Sequence, residues 1–348
     1  MKTPSIRSFF QCAQAQQIRM PGKALASLPL IGHARRAGIE VALGLFLAAM
    51  TAQSWAARPE TTTTINVTGA VVTVASGINA DGFIVGWYCL QTPCNAAHFR
   101  GFLRSPSGVI QDIVVPTTEK HPAIGTQARY VSPQGVVIGD YTTLENGATT
   151  GNPRFRGFAW FEGNFTYFDA PDESSNGQPV YDNPSFAHSI IPRAINANGD
   201  LVGCIHDRDQ MGSMHGFLFH DATFSRLSDG ITMNNGVNAE GEIVGLDGSS
   251  TTAYHIDKFG NVERLAFPGA DFTNAWDINS KGEIVGQAAT NGGTVGHAFL
   301  RSKEGEYRFI DPTGALSAMA FGISSSGNVV GQYRDSSGTH GFLLQRGN

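Results

Sequence analysis

Six copies of one ten-residue phrase constrain this chain more than any other feature. The phrase carries an aliphatic residue, Asn or Ser, two variable residues and Gly, then one more residue, two aliphatics and a closing Gly. It reads GINADGFIVG from Gly77, YVSPQGVVIG from Tyr130, AINANGDLVG from Ala194, GVNAEGEIVG from Gly236, DINSKGEIVG from Asp277 and GISSSGNVVG from Gly322. A second phrase follows each copy: HFRGFLR from His98, RFRGFAW from Arg154, MHGFLF from Met214, TAYHI from Thr252, GHAFLR from Gly296 and THGFLL from Thr339. The first five units close on a third phrase, an apolar or aromatic run ending near Asp, Pro or Gly, beginning at Gln111, Thr166, Ser225, Arg264 and Arg308.

Each phrase is rich in β-branched and aromatic residues and bounded by Gly, Asn, Asp or Pro, which predicts strands rather than helices. The Asn-x-x-Gly step predicts a tight turn, because Asn caps its own backbone and Gly takes a positive φ without steric cost. Four short strands per unit and a period of roughly 40 to 65 residues fit a propeller blade. The expected fold is therefore all-β: a six-bladed β-propeller of four-stranded blades. Ring closure follows from the ends. The sixth unit lacks its fourth strand, and the β-prone segment from Thr61 to Thr68 belongs to no other unit. Pairing of that N-terminal segment with the C-terminal blade would complete the ring and cover an exposed edge.

The paired phrases, with His-Ala-Phe-Leu intact at His297 to Leu300 and nearly so at His215 and His340, resemble the HAF repeat of extracellular bacterial proteins. The resemblance spans residues 61 to 348. It implies an exported repeat protein and names no activity. Units one and two depart from it by placing Arg100 and Arg156 where the His stands. A His repeated in register reads first as a packing residue, expected to hydrogen-bond a neighbouring blade's backbone. The repeated Gly-Phe pair reads as Phe in the core between blades, with Gly allowing close approach of the sheets.

Residues 1–56 read as a cleaved signal peptide, leaving a single domain over 57–348. Six basic residues stand there against Glu40 alone, before an apolar run from Val41 to Met50 and small residues at Ser54 and Ala56. A run of that length suits a signal-peptide core and is too short to cross a bilayer. The leader takes six of the 24 basic and one of the 29 acidic residues, leaving 18 against 28. A surface carrying a net charge of about −10 repels phosphate backbones and anionic headgroups, so nucleic acid and membranes are excluded as main partners.

Specificity is expected where the repeats differ. The turns joining strands one and two are uniformly short. All the length variation falls in Cys89 to Ala97, Thr117 to Gln127, Thr142 to Pro153, Asp172 to Ile191 and His206 to Ser213, loops that blade connectivity places on one face. The candidate ligand-binding residues on that face are Trp87, Tyr88, Asp140, Tyr141, Tyr181, His206, Asp207 and Asp209. Cys89 and Cys94 either close a disulfide that staples the first loop or remain thiols, and Cys204 reads as a small buried apolar residue. The run from His206 to Asp209 could join Asp140, Glu145 or Asp172 in a weak calcium-like site, but a solvated loop is the plainer reading, so neither a metal nor a cofactor is expected. No nucleophile elbow, phosphate loop or dinucleotide fingerprint occurs. The sequence therefore favours a secreted, monomeric binding module for an extracellular protein or glycan. The alternative is a secreted hydrolase or lyase acting on an extracellular polymer through the same face.

Overall fold

The computed structural model describes residues 60–119, 121–143, 154–169, 189–206, 214–221, 223–226, 232–248, 251–290, 292–293 and 295–347. Among them the regular secondary structure is all strand, apart from one 3-10 turn at Ala96–His98. The first strand, β1 (Glu60–Ile65), precedes six groups laid down in chain order. These are β2 (Val72–Ile78), β3 (Ile84–Cys89), β4 (Arg100–Arg104) and β5 (Ile110–Ile113); then β6 (Ala123–Val131), β7 (Val137–Thr143), β8 (Arg154–Phe161) and β9 (Asn164–Phe168). The third and fourth groups are β10 (Ser189–Ile195), β11 (Leu201–His206), β12 (Met214–His220) and β13 (Thr223–Arg226), followed by β14 (Thr232–Val237), β15 (Ile243–Asp247), β16 (Ala253–Ile256) and β17 (Val262–Leu265). The last two are β18 (Phe272–Ile278), β19 (Ile284–Thr290), β20 (Val295–Arg301) and β21 (Tyr307–Phe309), then β22 (Ser317–Ile323), β23 (Val329–Arg334) and β24 (Thr339–Arg346).

Within each group the strands pair antiparallel in sequence order. The sixth group takes its fourth strand from the N-terminal segment: β1 runs antiparallel to β24, from Glu60 opposite Arg346 to Ile65 opposite Gly341. The C-terminal strand continues through Arg346. One parallel pair, Val72 with Thr339, links the first and last sheets. The first strands lie side by side in the order β2, β6, β10, β14, β18 and β22, and β22 lies against β2. The arrangement is β-propeller-like, with hydrophobic clusters filling the spaces between successive sheets.

The repeated glycines are placed by packing. Gly86, Gly139, Gly203, Gly286 and Gly331 stand directly opposite Phe102, Phe158, Phe217, Phe299 and Phe342 across the second and third strands. A Cβ at any of the five would lie 2.7 or 2.8 Å from the facing ring, and about 2 Å from a carbonyl oxygen of the first strand. The second phrase therefore supplies the ring and the first phrase the space that receives it. In the fourth unit Tyr254 takes the place of Phe opposite Gly245.

The turns behave as their composition predicts. Gly82, Gly135, Gly199, Gly241, Gly282 and Gly327 all have φ between 76° and 96°. Asn196, Asn238 and Asn279 accept two backbone N–H groups through Oδ1, and Asn79 accepts one from Phe83. Each also donates Nδ2 to a carbonyl in the next sheet's turn, from Asn79 to Ser132 at 3.3 Å, Asn196 to Asn238 at 3.0 Å, Asn238 to Asn279 at 3.3 Å and Asn279 to Ser324 at 3.1 Å. In these four units the capping residue therefore fastens its sheet to the next as well.

The histidine position of the second phrase is corrected. Its basic group meets a polar side chain of its own sheet, not a neighbour's backbone. His297 Nδ1 lies 2.6 Å from Asp311, Arg100 donates to Asp112 at 2.8 Å, and Arg156 holds Asp169 through both guanidinium branches with both side chains buried. In the sixth unit His340 Nδ1 lies 2.9 Å from Asn66, just beyond β1. In these four units the partner belongs to the outermost strand or the residues that follow it, so basic residue and partner form one internal pair. Arg in units one and two preserves this pairing.

Two glycine substitutions separate packing from turn strain. Gly286→Ala should destabilise by about 1–3 kcal/mol or more, because Phe299 and the Asn274 carbonyl leave no room for a methyl. Gly241→Ala meets no atom within 4 Å and should cost only the strain of a positive φ, roughly 1 kcal/mol. Chemical denaturation of both variants against the parent gives the two values.

Candidate functional site

Where the six first strands meet, their backbones nearly touch. A Cβ on Gly236 would lie 2.7 Å from Asp277 Cα, and one on Gly322 would lie 2.9 Å from Gly77 Cα. Every first strand also carries a β-bulge at this level. The register with the second strand shifts between Ala75 and Gly77, Ala128 and Tyr130, Pro192 and Ala194, Asn234 and Gly236, Ala275 and Asp277, and Ala320 and Gly322. A bulge inserts one residue and re-aims its side chain. The six inserted residues are Ser76, Arg129, Arg193, Asn235, Trp276 and Phe321, and all six line one axial cavity of about 380 Å³.

The cavity mixes aromatic faces with charge. The Arg193 guanidinium lies over the Trp276 ring, 5.1 Å from its centroid, and Trp276 meets Phe321 edge-on at 4.9 Å. Trp87 adds a second indole from β3, packed 4.3 Å from the Phe99 ring. The two arginines are held differently. Arg129 Nε donates to Asp140 Oδ1 at 2.6 Å and a terminal nitrogen donates to Gln127 at 2.6 Å. Arg193 has no carboxylate at ion-pair distance among the described residues; burial lowers its pKa, with the charge of Arg129 adding to the effect. Its Nε makes no hydrogen bond, and neither do Asp140 Oδ2, Asn235 Oδ1 or Trp276 Nε1, all of them buried.

Asp277 stands in the ring where the other units have Gly, Ala or Tyr. It accepts the N–H groups of Ile278 and Ile323, both at 2.9 Å, and so joins the fifth sheet to the sixth. Burial pushes its pKa up to about 7, against the lowering effect of those two N–H groups. Burial likewise raises the Tyr130 hydroxyl, with the nearby Asp277 charge adding to the shift. A smaller cavity of about 120 Å³ lies towards the short-turn end of the axis and is lined by residues of all six first turns.

The candidates drawn from the variable loops fare unequally. Trp87 lines the axial cavity, and Asp140 sits behind it as the partner of Arg129. Tyr88 and Tyr141 are corrected: they face the core, not a ligand. Tyr88 is 4% exposed and its hydroxyl donates to Asp112, while Tyr141 is fully buried with its hydroxyl 3.0 Å from His121 Nδ1. Side chains two residues apart in a strand share a face, so one strand cannot present adjacent residues Trp87 and Tyr88 to the same cavity. Tyr181, Asp207 and Asp209 lie outside the described residues, as do Glu145 and Asp172, and so does the side chain of His206. Cys89 and Cys94 form a disulfide, and Cys204 is buried beside Arg193.

None of the six bulge residues had a place among the sequence candidates. Each stands one position before the repeated phrase, at Ser76, Arg129, Arg193, Asn235, Trp276 and Phe321, where six otherwise matching units carry five different residue types. That contrast was the available signal.

No protein-family model and no curated protein matches the chain. Among solved structures it is similar to a streptogramin B lyase, 14% identical with a TM-score of 0.44 over 82% of this chain and 98% of that one. It is also similar to a gluconolactonase from Xanthomonas campestris, 11% identical with a TM-score of 0.46 over 84% and 91%. A third likeness is to a Trypanosoma rangeli sialidase, 11% identical with a TM-score of 0.45 over 79% and 55%. Likenesses this distant carry no functional weight.

The Asp277 carboxyl sets a pH dependence whose sign follows from linkage. With its pKa raised from 3.8 to about 7, the native state keeps a proton that the unfolded chain releases in between. This contribution to stability is present in full below pH ~4 and lost as pH rises to about 7. Asp277→Asn offers one acceptor oxygen in place of two and should be less stable than the parent at pH 5, with the gap narrowing by pH 8. A gap that widens with pH in thermal unfolding would show a carboxylate stabilised in its charged form.

Proposed function

We propose that the chain is a secreted six-bladed β-propeller that binds an extracellular glycan or protein, with the axial cavity as its ligand site. The closed ring is supported by the cyclic order of first-strand contacts and by β1 completing the last sheet. Membership of the HAF-repeat class, export through the N-terminal leader, a monomeric state and independence of any cofactor belong to the same reading. No helix among the described residues is long and apolar enough to cross a membrane.

The observation that carries the binding role is the convergence of six bulge side chains on one cavity. Six backbone irregularities at equivalent positions hold six side chains of five chemical types in fixed directions, and binding sites need such a preorganised inner surface. The cavity's volume falls at the lower end of the range for small-ligand pockets, roughly 300–1,000 Å³. It suits one or two sugar rings, or a single side chain of a protein partner. The long loops would then frame the entrance.

Catalysis on an extracellular polymer is the second reading, favoured by one observation: the near-neutral pKa of Asp277 at the cavity. A general acid must come within hydrogen-bond reach of substrate, and both oxygens of Asp277 are held by backbone N–H groups that join the fifth sheet to the sixth, a structural task. The binding reading accounts for this arrangement better.

Ser76→Trp tests the site. Ser76 is a small residue at a bulge facing the cavity, so an indole there should fill the space while leaving the sheets intact. Glycan-array and pull-down binding by the parent should fall at least tenfold in this variant, with unchanged circular dichroism. Full binding by a folded Ser76→Trp protein would move the site away from the axis. Shortening of a bound polysaccharide over time would establish the catalytic reading.

A further inference from the structure

We propose that the axial cavity selects a carboxylate-bearing sugar, with Arg193 as the anchor for its anion. The proposal rests on the cavity being the ligand site and adds the chemical class of what enters it.

The two arginines differ in a way that points to an anion. Arg129 is neutralised by Asp140 and tied to Gln127. Arg193 is buried too, yet among the described residues it has an indole face, a thiol and a second positive charge around it, and the Asp140 charge reaches it only from beyond ion-pair distance, being already paired with Arg129. A guanidinium taken out of water without a counter-ion is costly. Its planar fork matches a carboxylate through two parallel hydrogen bonds, which an ammonium or amide cannot reproduce. A ligand carboxylate at Arg193 would supply the missing counter-charge.

The remaining wall matches the rest of an acidic sugar. Trp276 Nε1 is a buried donor and Asn235 Oδ1 a buried acceptor, both without a partner, and sugar hydroxyls can serve both. Trp87, Trp276 and Phe321 offer apolar faces for the C–H side of a pyranose ring. A simple inorganic anion would satisfy Arg193 but leave the indole and amide groups unused. A neutral sugar would leave the guanidinium unpaired.

The overall acidity of the protein does not oppose this. Exposed charges are screened over about 8 Å at physiological ionic strength, whereas a charge inside a low-dielectric cavity is screened much less. Locally the cavity wall has Arg129 and Arg193 against Asp140, with Asp277 half protonated near neutrality. The balance there is positive.

Isothermal titration of the intact exported protein with di- and trigalacturonate, and with the neutral galactose oligomers of equal length, tests the proposal. The acidic oligomers should bind at least tenfold more tightly, and the difference should shrink in 1 M salt. Arg193→Gln should abolish the preference, and Arg193→Lys, which keeps the charge without the fork, should restore only part of it. Lys258→Gln, an exposed substitution on a turn, should change nothing. Thermal melts establish that each variant is folded.

Equal affinity for acidic and neutral oligomers, with both lost in Ser76→Trp, would overturn the carboxylate assignment and leave the cavity as the site. Acidic binding that survives both Ser76→Trp and Arg193→Gln would overturn the site itself. Absence of binding by galacturonate and glucuronate oligomers alike would also overturn the proposal.

Discussion

The structure turns on how closely six strands approach around one axis. At the level of Gly77, Tyr130, Ala194, Gly236, Asp277 and Gly322, backbone packs on backbone, and a single methyl at Gly236 or Gly322 would meet a neighbouring Cα inside 3 Å. Side chains cannot be accommodated between the strands at that level, so they must leave it above or below. The bulge immediately before each of these residues provides the exit. It adds one residue to the first strand and directs that side chain onto the axis. Close packing and the axial cavity are two results of one backbone irregularity, repeated six times.

Farther out, the sheets are fastened by small polar devices rather than by hydrophobic contact alone. The asparagine bridges that leave four of the six turns for the next are each worth about 1 kcal/mol in net terms. At the rim, a basic side chain of the third strand meets an acid or amide near the fourth. The buried Arg156–Asp169 pair is the most enclosed of these. Removing one partner there would strand a buried charge, a larger penalty than the net worth of the pair. Asn66 fills the same role for His340 from the opposite end of the chain, so the N-terminal segment replaces both the missing strand and its polar contact.

Much of this was legible in the residues, for a reason that also explains what was not. Asn-x-x-Gly specifies a turn through local hydrogen bonding and a positive φ, so strand order and turn positions could be read directly, whereas the glycine that faces each Phe across the second and third strands emerged only from the register. The spare β-prone segment beginning at Thr61 announced its pairing with the last unit because every other strand already had a place. The site was read from loop length, and that missed Ser76, Arg129, Arg193, Asn235, Trp276 and Phe321. A β-bulge is a register shift between two strands and leaves no mark on the residue it displaces. Only comparison of aligned units, in which the position before the phrase carries five residue types in six copies, brings those residues out. Tyr88 and Tyr141 were misplaced for a related reason. They adjoin Trp87 and Asp140 in sequence, but strand alternation turns them to the core.

The axial reading gives the rigid scaffold and the variable loops different tasks. Bulge residues fixed by two flanking strands can hold a ligand group with little reorganisation, which leaves the variable loops free to select the larger molecule that carries it. A crystal structure of the protein grown with trigalacturonate tests this division most directly. The account predicts ordered sugar density on the axis, with a carboxylate within about 3 Å of the Arg193 guanidinium and a pyranose ring against Trp87 or Phe321. Density confined to the outer loops, with the axial cavity holding only water, would contradict it.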